Sequence, residues 1–183
     1  AGALVRGLGL AVTTGRPFLD PGFDYLGFPS TQKAAAEAYA MAGVGPQEMQ
    51  FAQIYDCFTY VVLCTLEDYG FCQKGEGGAF VEGGTLRLGG RLPTNTSGGQ
   101  LSEGHVQGMM QVIEGVRQLR HEYGPDRQIK TCEIGIVSST RRSVTIARTR
   151  PASVPTTTSS PSRSVPCWTS SVAMGPRSLV SFA

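Results

Sequence analysis

The composition of the chain changes abruptly after Val137. Residues 1–137 hold 10 Lys and Arg against 14 Asp and Glu, a net charge of −4, and 23 of the 24 glycines. Residues 138–183 hold six arginines and no acid, a net charge of +6, with 12 Ser, 7 Thr and 5 Pro. Two such compositions rarely share one folded unit, because the second buries too little apolar surface to offset its ordering entropy. On these grounds the chain divides into a folded domain over 1–137 and a basic Ser/Thr/Pro-rich tail over 138–183. The tail is either a disordered arm or the product of a shifted reading frame. Cys167-Trp168 and Leu179-Val180-Ser181-Phe182 are out of place in a solvated arm and favour the second.

A length of 183 residues suits one domain. No run of 18 apolar residues is present, so no membrane span is expected. The apolar stretch at the start lacks a charged n-region and does not read as a signal peptide. Five cysteines, odd in number and at no metal-ligand spacing, point to a reduced, cytoplasmic setting without a metal. The arginine runs of the tail lack interleaved aromatics, so no nucleic-acid partner is expected.

The pattern along residues 1–137 alternates strand and helix. Residues 3–12 read as a strand. Ser30 reads as the N-cap of an Ala-rich helix over 31–42 that Gly43 stops. Residues 50–55 alternate like a strand leading into Asp56, and the apolar stretch 58–69 suits a buried helix closed by Gly70. Ten glycines in residues 70–99 suggest a long functional or mobile loop. Val106, Met109, Met110, Ile113, Val116 and Leu119 form one helical stripe within 102–122, and 131–137 reads as a final strand. The alternation predicts an α/β layer architecture.

Few residues are suited to acid–base chemistry near neutral pH. Of the two histidines, His121 reads as a surface residue at a helix C-terminus, where the dipole favours its charge. His105 follows Asn95-Thr96-Ser97-Gly98-Gly99, a turn able to point backbone N–H groups at an anion, and sits at the start of the apolar helix. From the residues alone it is equally a structural or a catalytic histidine. Tyr55 and Asp56 close a strand, where α/β folds place their sites. Tyr55 could donate to an oxyanion, while Asp56 reads rather better as a helix N-cap. Cys57 reads as a small buried apolar residue rather than a nucleophile.

An ordered series of motifs carries a resemblance. Tyr55-Asp56-Cys57-Phe58, Asp68-Tyr69-Gly70-Phe71-Cys72, Gly75-Glu76-Gly77-Gly78, Asn95-Thr96-Ser97-Gly98-Gly99 and Ser102-Glu103-Gly104-His105 resemble the C-terminal half of a thiolase. The branch they resemble is the thiolase-like lipid-transfer proteins, which include the sterol carrier protein X thiolases and the bacterial steroid side-chain aldolases. The resemblance implies the C-terminal half of the thiolase fold, a mixed sheet covered by helices, truncated and followed by the tail. It also implies that Tyr55 is an oxyanion-side residue and that His105 is the histidine that activates the nucleophilic cysteine and helps bind the thioester oxyanion. Asn95, Ser97, Gly98 and Gly99 are the implied substrate-binding residues. Val106-Gln107 departs from the family's Pro-Leu, and the steroid aldolases carry a tyrosine where His105 stands.

The implied activity is acyl transfer or thiolysis that makes or breaks a C–C bond in a lipid or steroid side-chain acyl-CoA. Two alternatives stand beside it: retro-aldol cleavage of a steroid side-chain acyl-CoA, and a non-catalytic lipid or acyl-CoA-binding subunit. The coenzyme A thioester is the substrate and no bound cofactor is implied. A homodimer of the full-length parent and an OB-fold partner protein are implied as well. The family's nucleophile lies in an N-terminal half, and its late Cys-x-Gly segment falls near Ser138. The chain is therefore expected to be a fragment that is inactive alone.

Overall fold

The structure is a computed structural model, which describes residues 2–12, 27–140 and 143–150. Four strands form one mixed sheet: β1 (Ala3–Leu10), β2 (Phe51–Gln53), β3 (Ile134–Thr140) and β4 (Ser143–Thr149). Their order is β1-β4-β3-β2, with β2 and β3 parallel and the other two pairings antiparallel. Helices α1 (Pro29–Ala42) and α2 (Thr59–Asp68) are joined by the short α3 (Gly77–Val81) and α4 (Gln100–Glu103), and by α5 (Met109–Leu119). This is an α/β fold.

β4 corrects the domain boundary drawn from composition. Ser138, Ser139 and Thr140 complete β3, and β4 lies inside the sheet with hydrogen-bonded neighbours on both sides. Val144 and Ile146 are fully buried in the main core, and Ala147 is buried in the smaller core with Phe51 and Leu119. A composition averaged over 46 residues conceals this seven-residue alternation of Val, Ile and polar side chains. The folded unit thus continues through Thr149. The expectation of disorder or a shifted frame for 151–183 lies outside the described residues.

The core on one face forms where α1 lies directly on β1. A Cβ at Gly9 would come within 1.8 Å of the Ala34 carbonyl oxygen, and one at Gly7 within 2.1 Å of the Ala38 oxygen. Backbone therefore meets backbone, which the small residues of both elements permit. Gly9→Ala should push α1 off the sheet and lower unfolding free energy by about 3 kcal/mol, at the upper end of overpacking effects. Urea unfolding with an unchanged m-value would show it; an unaltered midpoint would refute the close packing.

Three local expectations are revised. Pro29 takes the first helical position, so Phe28 and not Ser30 is the N-cap, and Gly43 closes α1 in the left-handed region (φ 68°) as expected. The glycine-rich segment is folded: Phe71 and Leu92 are buried, and Leu92 and Thr94 donate to Thr85 and Leu86. Thr94 also bridges Ala52, which extends the sheet edge past β2. The single long helix over 102–122 is instead two, broken where Gly104, Gln107 and Gly108 adopt φ of 99°, 54° and 77°.

The apolar stripe of α5 lies largely outward, with Met109 55 % and Ile113 42 % exposed, while Leu119 at its end is buried. Gln111, Glu114 and Gln118 turn toward the sheet and are buried. Gly115 lets the helix approach closely, because a Cβ there would meet Val137 at 2.7 Å.

Candidate active site at the carboxyl ends of β2 and β3

The parallel pairing of β2 with β3 ends with Gln53 opposite Val137, before β3 runs on to Thr140. Loops converge at such carboxyl ends in α/β sheets. Just beyond the paired residues the Tyr55 backbone N–H donates to Ser138 Oγ at 3.0 Å. The Asn95 side chain fastens the next segment alongside: its Oδ1 accepts the Ile54 N–H at 2.7 Å and its Nδ2 donates to the Ile54 carbonyl at 2.9 Å. Asn95 itself has φ 49°, a left-handed conformation that Asn adopts more readily than most residues.

In the turn that follows, the N–H groups of residues 98–100 are taken within the protein. Gly98 donates to the Asn95 carbonyl at 2.8 Å, Gly99 to Ser97 Oγ at 3.3 Å and Gln100 to Asp56 Oδ1 at 2.9 Å. Its glycines answer to packing as well: a Cβ on Gly99 would lie 2.0 Å from Asp56 Oδ2. Asn95, Ser97, Gly98 and Gly99 thus form a braced turn at the same end of the sheet as Tyr55.

Asp56 is buried and does not cap α2, since Phe58 is the N-cap of that helix without a side-chain cap. Its Oδ1 accepts the Gln100 N–H and, at 3.0 Å, Gln111 Nε2. Those two donors flank the loop between α4 and α5 that carries His105. The exposed His105 ring stands edge-on to Tyr55, with centroids 6.1 Å apart and planes at 79°. The two residues expected to do chemistry are therefore neighbours, and one buried carboxylate clamps both sides of the loop that brings them together. A phenol and an imidazole so placed can donate to, or exchange a proton with, one oxygen between them.

Residues 23–149 match the family described as thiolase C-terminal domain-like. The chain belongs to that family. Over 105 residues, 57 % of the chain, it is 45 % identical to the 17-hydroxy-3-oxo-4-pregnene-20-carboxyl-CoA lyase of Mycobacterium tuberculosis, of which the match covers 26 %. Over 110 residues, 58 % of the chain, it is 40 % identical to the acetyl-CoA acetyltransferase of Methanothermobacter thermautotrophicus, covering 28 % of that protein. The solved structure of the Ltp2-ChsH2(DUF35) aldolase superposes with a TM-score of 0.71 at 30 % identity, over 80 % of this chain and 39 % of that one. The chain thus spans about a quarter of the length of the curated relatives it matches.

In this thiolase C-terminal-like domain, His121 lies one helix length from His105. It follows the end of α5, exposed and with φ 55°, about 16 Å from the helix start at 1.5 Å per residue over 11 residues. Cys57 is half-buried rather than buried. Burial, with Glu114 adding to it, pushes the Cys132 thiol up to about 12. Burial and then Glu67 and Glu76 raise that of Cys72, so neither thiol is ionised near neutral pH. Among the described residues no group of three or more His, Cys, Asp or Glu could hold a metal, and no helix is long and apolar enough to cross a membrane. A groove of about 1000 Å³ lies elsewhere, lined by Met49, Arg91, Ile129 and Lys130 among others, and includes neither Tyr55 nor His105.

Ser138, Gln100 and Gln111 were not singled out from the sequence. Ser138 was set aside with the basic tail, and the two glutamines bind Asp56 only because the chain folds back 44 and 55 residues later. Polar residues at 111, 114 and 118 do recur at helical spacing opposite the apolar stripe, which is the one signal that pointed to them.

Proposed function

We propose that this domain is the C-terminal half of an acyl-CoA enzyme that makes or breaks a C–C bond in a lipid or steroid side chain. The observation that carries the reading is the edge-on Tyr55–His105 pair at the carboxyl ends of β2 and β3. In the thiolytic version, a cysteine supplied by an upstream half attacks the 3-keto carbonyl, and the C2–C3 bond breaks to an acyl-cysteine and the enolate of the shorter acyl-CoA. Free coenzyme A then takes the acyl group from the cysteine. His105 takes up and returns the proton, and Tyr55 beside it stabilises the enolate or oxyanion. The turn with Asn95, Ser97, Gly98 and Gly99 lines the substrate. The coenzyme A thioester is the substrate, and no metal takes part.

The outward apolar face of α5 supports the upstream half. A stripe holding Met109 and Ile113, beside exposed Val106 and Leu101, is suited to burial against another layer. In this reading the 183-residue chain alone does not turn over acyl-CoA, and the complete subunit forms a cytoplasmic homodimer with an OB-fold partner. The relative whose name joins Ltp2 to ChsH2(DUF35) supports the partner.

Retro-aldol cleavage is the second reading, favoured by the 45 % identity to a hydroxy-acyl-CoA lyase. There Tyr55 or His105 takes the proton of the β-hydroxyl, the C–C bond breaks to a ketone, and the leaving enolate is reprotonated. The complete subunit should be given a 3-oxoacyl-CoA and, separately, a 3-hydroxyacyl-CoA with a tertiary alcohol. Thiolysis releases acetyl-CoA or propionyl-CoA from the first in multiple turnovers only when free coenzyme A is added, because without it the acyl group stays on the cysteine after one equivalent. Retro-aldol cleavage releases it from the second without free coenzyme A. No release from either, with binding retained, would sink both and leave the non-catalytic acyl-CoA-binding subunit.

A further inference from the structure

We propose that Glu114 is a positioning residue for this site, holding the turn at 95–99 against the end of β2 through Thr96; the inference rests on the assignment of that turn to the site. Glu114 lies on the inward face of α5 with its side chain 3 % exposed, outside every motif used above. Its Oε1 accepts from Thr96 Oγ1 and, at 3.0 Å, from Gln118 Nε2. Its Oε2 accepts from the Tyr123 hydroxyl and, at 2.9 Å, from Arg127 Nη2. Four donors on one buried carboxylate satisfy it, and the arginine supplies the compensating charge.

Thr96 is what makes this more than a core ion pair. It stands between Asn95, fastened to Ile54, and Ser97, which receives the Gly99 N–H. Its single hydroxyl proton goes to Glu114, so its oxygen is free to accept from Gln53 Nε2 at 3.0 Å and Gln118 Nε2 at 3.1 Å. The direction of every bond at Thr96 is therefore set by an ionised Glu114. β2, α5 and the turn meet at that hydroxyl. On the far side, Arg117 and Arg127 both stack on Tyr123, with guanidinium carbons 4.6 and 4.3 Å from the ring centre, which fixes the tyrosine that reaches the carboxylate.

Glu114→Gln tests this with little change of shape. The amide oxygen will turn toward Arg127 and Tyr123 to accept their hydrogen bonds, leaving an NH2 group facing Thr96. The Thr96 hydroxyl must then accept where it donated, and its bonds to Gln53 and Gln118 compete. Hydrogen exchange followed by mass spectrometry on the full chain should show amides of 95–100 exchanging faster by about tenfold, as loss of a charge-assisted hydrogen bond predicts. Amides of β3 and β4 should stay near their original rates. Leu119→Ala, buried on the same helix, is the control for general loosening and should not select the turn.

If Glu114→Gln does not fold, Thr96→Val removes only the turn's share of the contact and should give the same local rise. Unchanged exchange at 95–100, or a uniform rise like that of Leu119→Ala, overturns the proposal whatever the activity. A local rise with lowered kcat and a steady KM in the complete subunit supports it. A local rise with unaltered turnover supports the positioning of the turn and overturns the assignment of the turn to the site.

Discussion

Replacing His105 by Ala in the complete subunit is expected to lower kcat by on the order of 10²–10⁴ with KM little changed. The ring lies at the sheet end beside Tyr55, exposed and carried on a loop rather than packed in the core. Its removal should therefore leave the fold intact and act on the chemical step. His105→Asn keeps a donor and should recover part of the loss if hydrogen bonding to the oxyanion dominates, and none if proton transfer does. His121→Ala is the matched control, being exposed beyond the far end of α5, and should be near neutral. Equal effects of the two substitutions, or an active His105→Ala subunit, would show that the motif reports ancestry only.

Asp56→Ala should be among the most destabilising single changes in the domain. It strips the acceptor from the Gln100 N–H and from the Gln111 amide, both in buried surroundings. Two orphaned donors and a small cavity together amount to about 3 kcal/mol, or roughly 6–12 °C in Tm for a domain of this size. Asp56→Asn can keep both bonds, because both are made to Oδ1, and should lose only about 1 kcal/mol. Because the two donors flank the His105 loop, the Ala variant should also lose activity beyond what its melting temperature explains. Scanning calorimetry and turnover on the same samples check both parts. An Ala variant that melts like the parent would show that Asp56 clamps nothing.

Wherever local rules decide, the sequence was sufficient. Gly43 and Gly70 mark helix ends because few other residues accept a left-handed φ there, and the strand read over residues 50–55 is β2. The thiolase-like motif series named Tyr55 and His105 as candidates, and the structure sets their rings 6.1 Å apart. Composition was misleading at β4. A central strand is held by ladders on both sides, so Ser143 to Thr149 folds despite belonging by composition to the tail.

At α5 periodicity marked the helix but not its orientation. A helical stripe shows that a face will be buried but not against what, and the page of side chains that meets the sheet here is the polar one. Gln111, Glu114 and Gln118 become inward residues only because Asp56, Thr96 and Arg127 arrive from elsewhere in the chain to satisfy them. The sequence by itself determined α1, β2 and α2, the helix stops at Gly43 and Gly70, and the family. Tertiary structure alone decided that Met109 and Ile113 of α5 face outward while Leu119 is buried, and that β4 enters the middle of the sheet. It alone decided that buried Asp56 and Glu114 bind the flanks of the His105 loop and the turn at 95–99. Hydrogen-bond partners of a buried charge lie far apart in the chain, and no local pattern encodes their meeting.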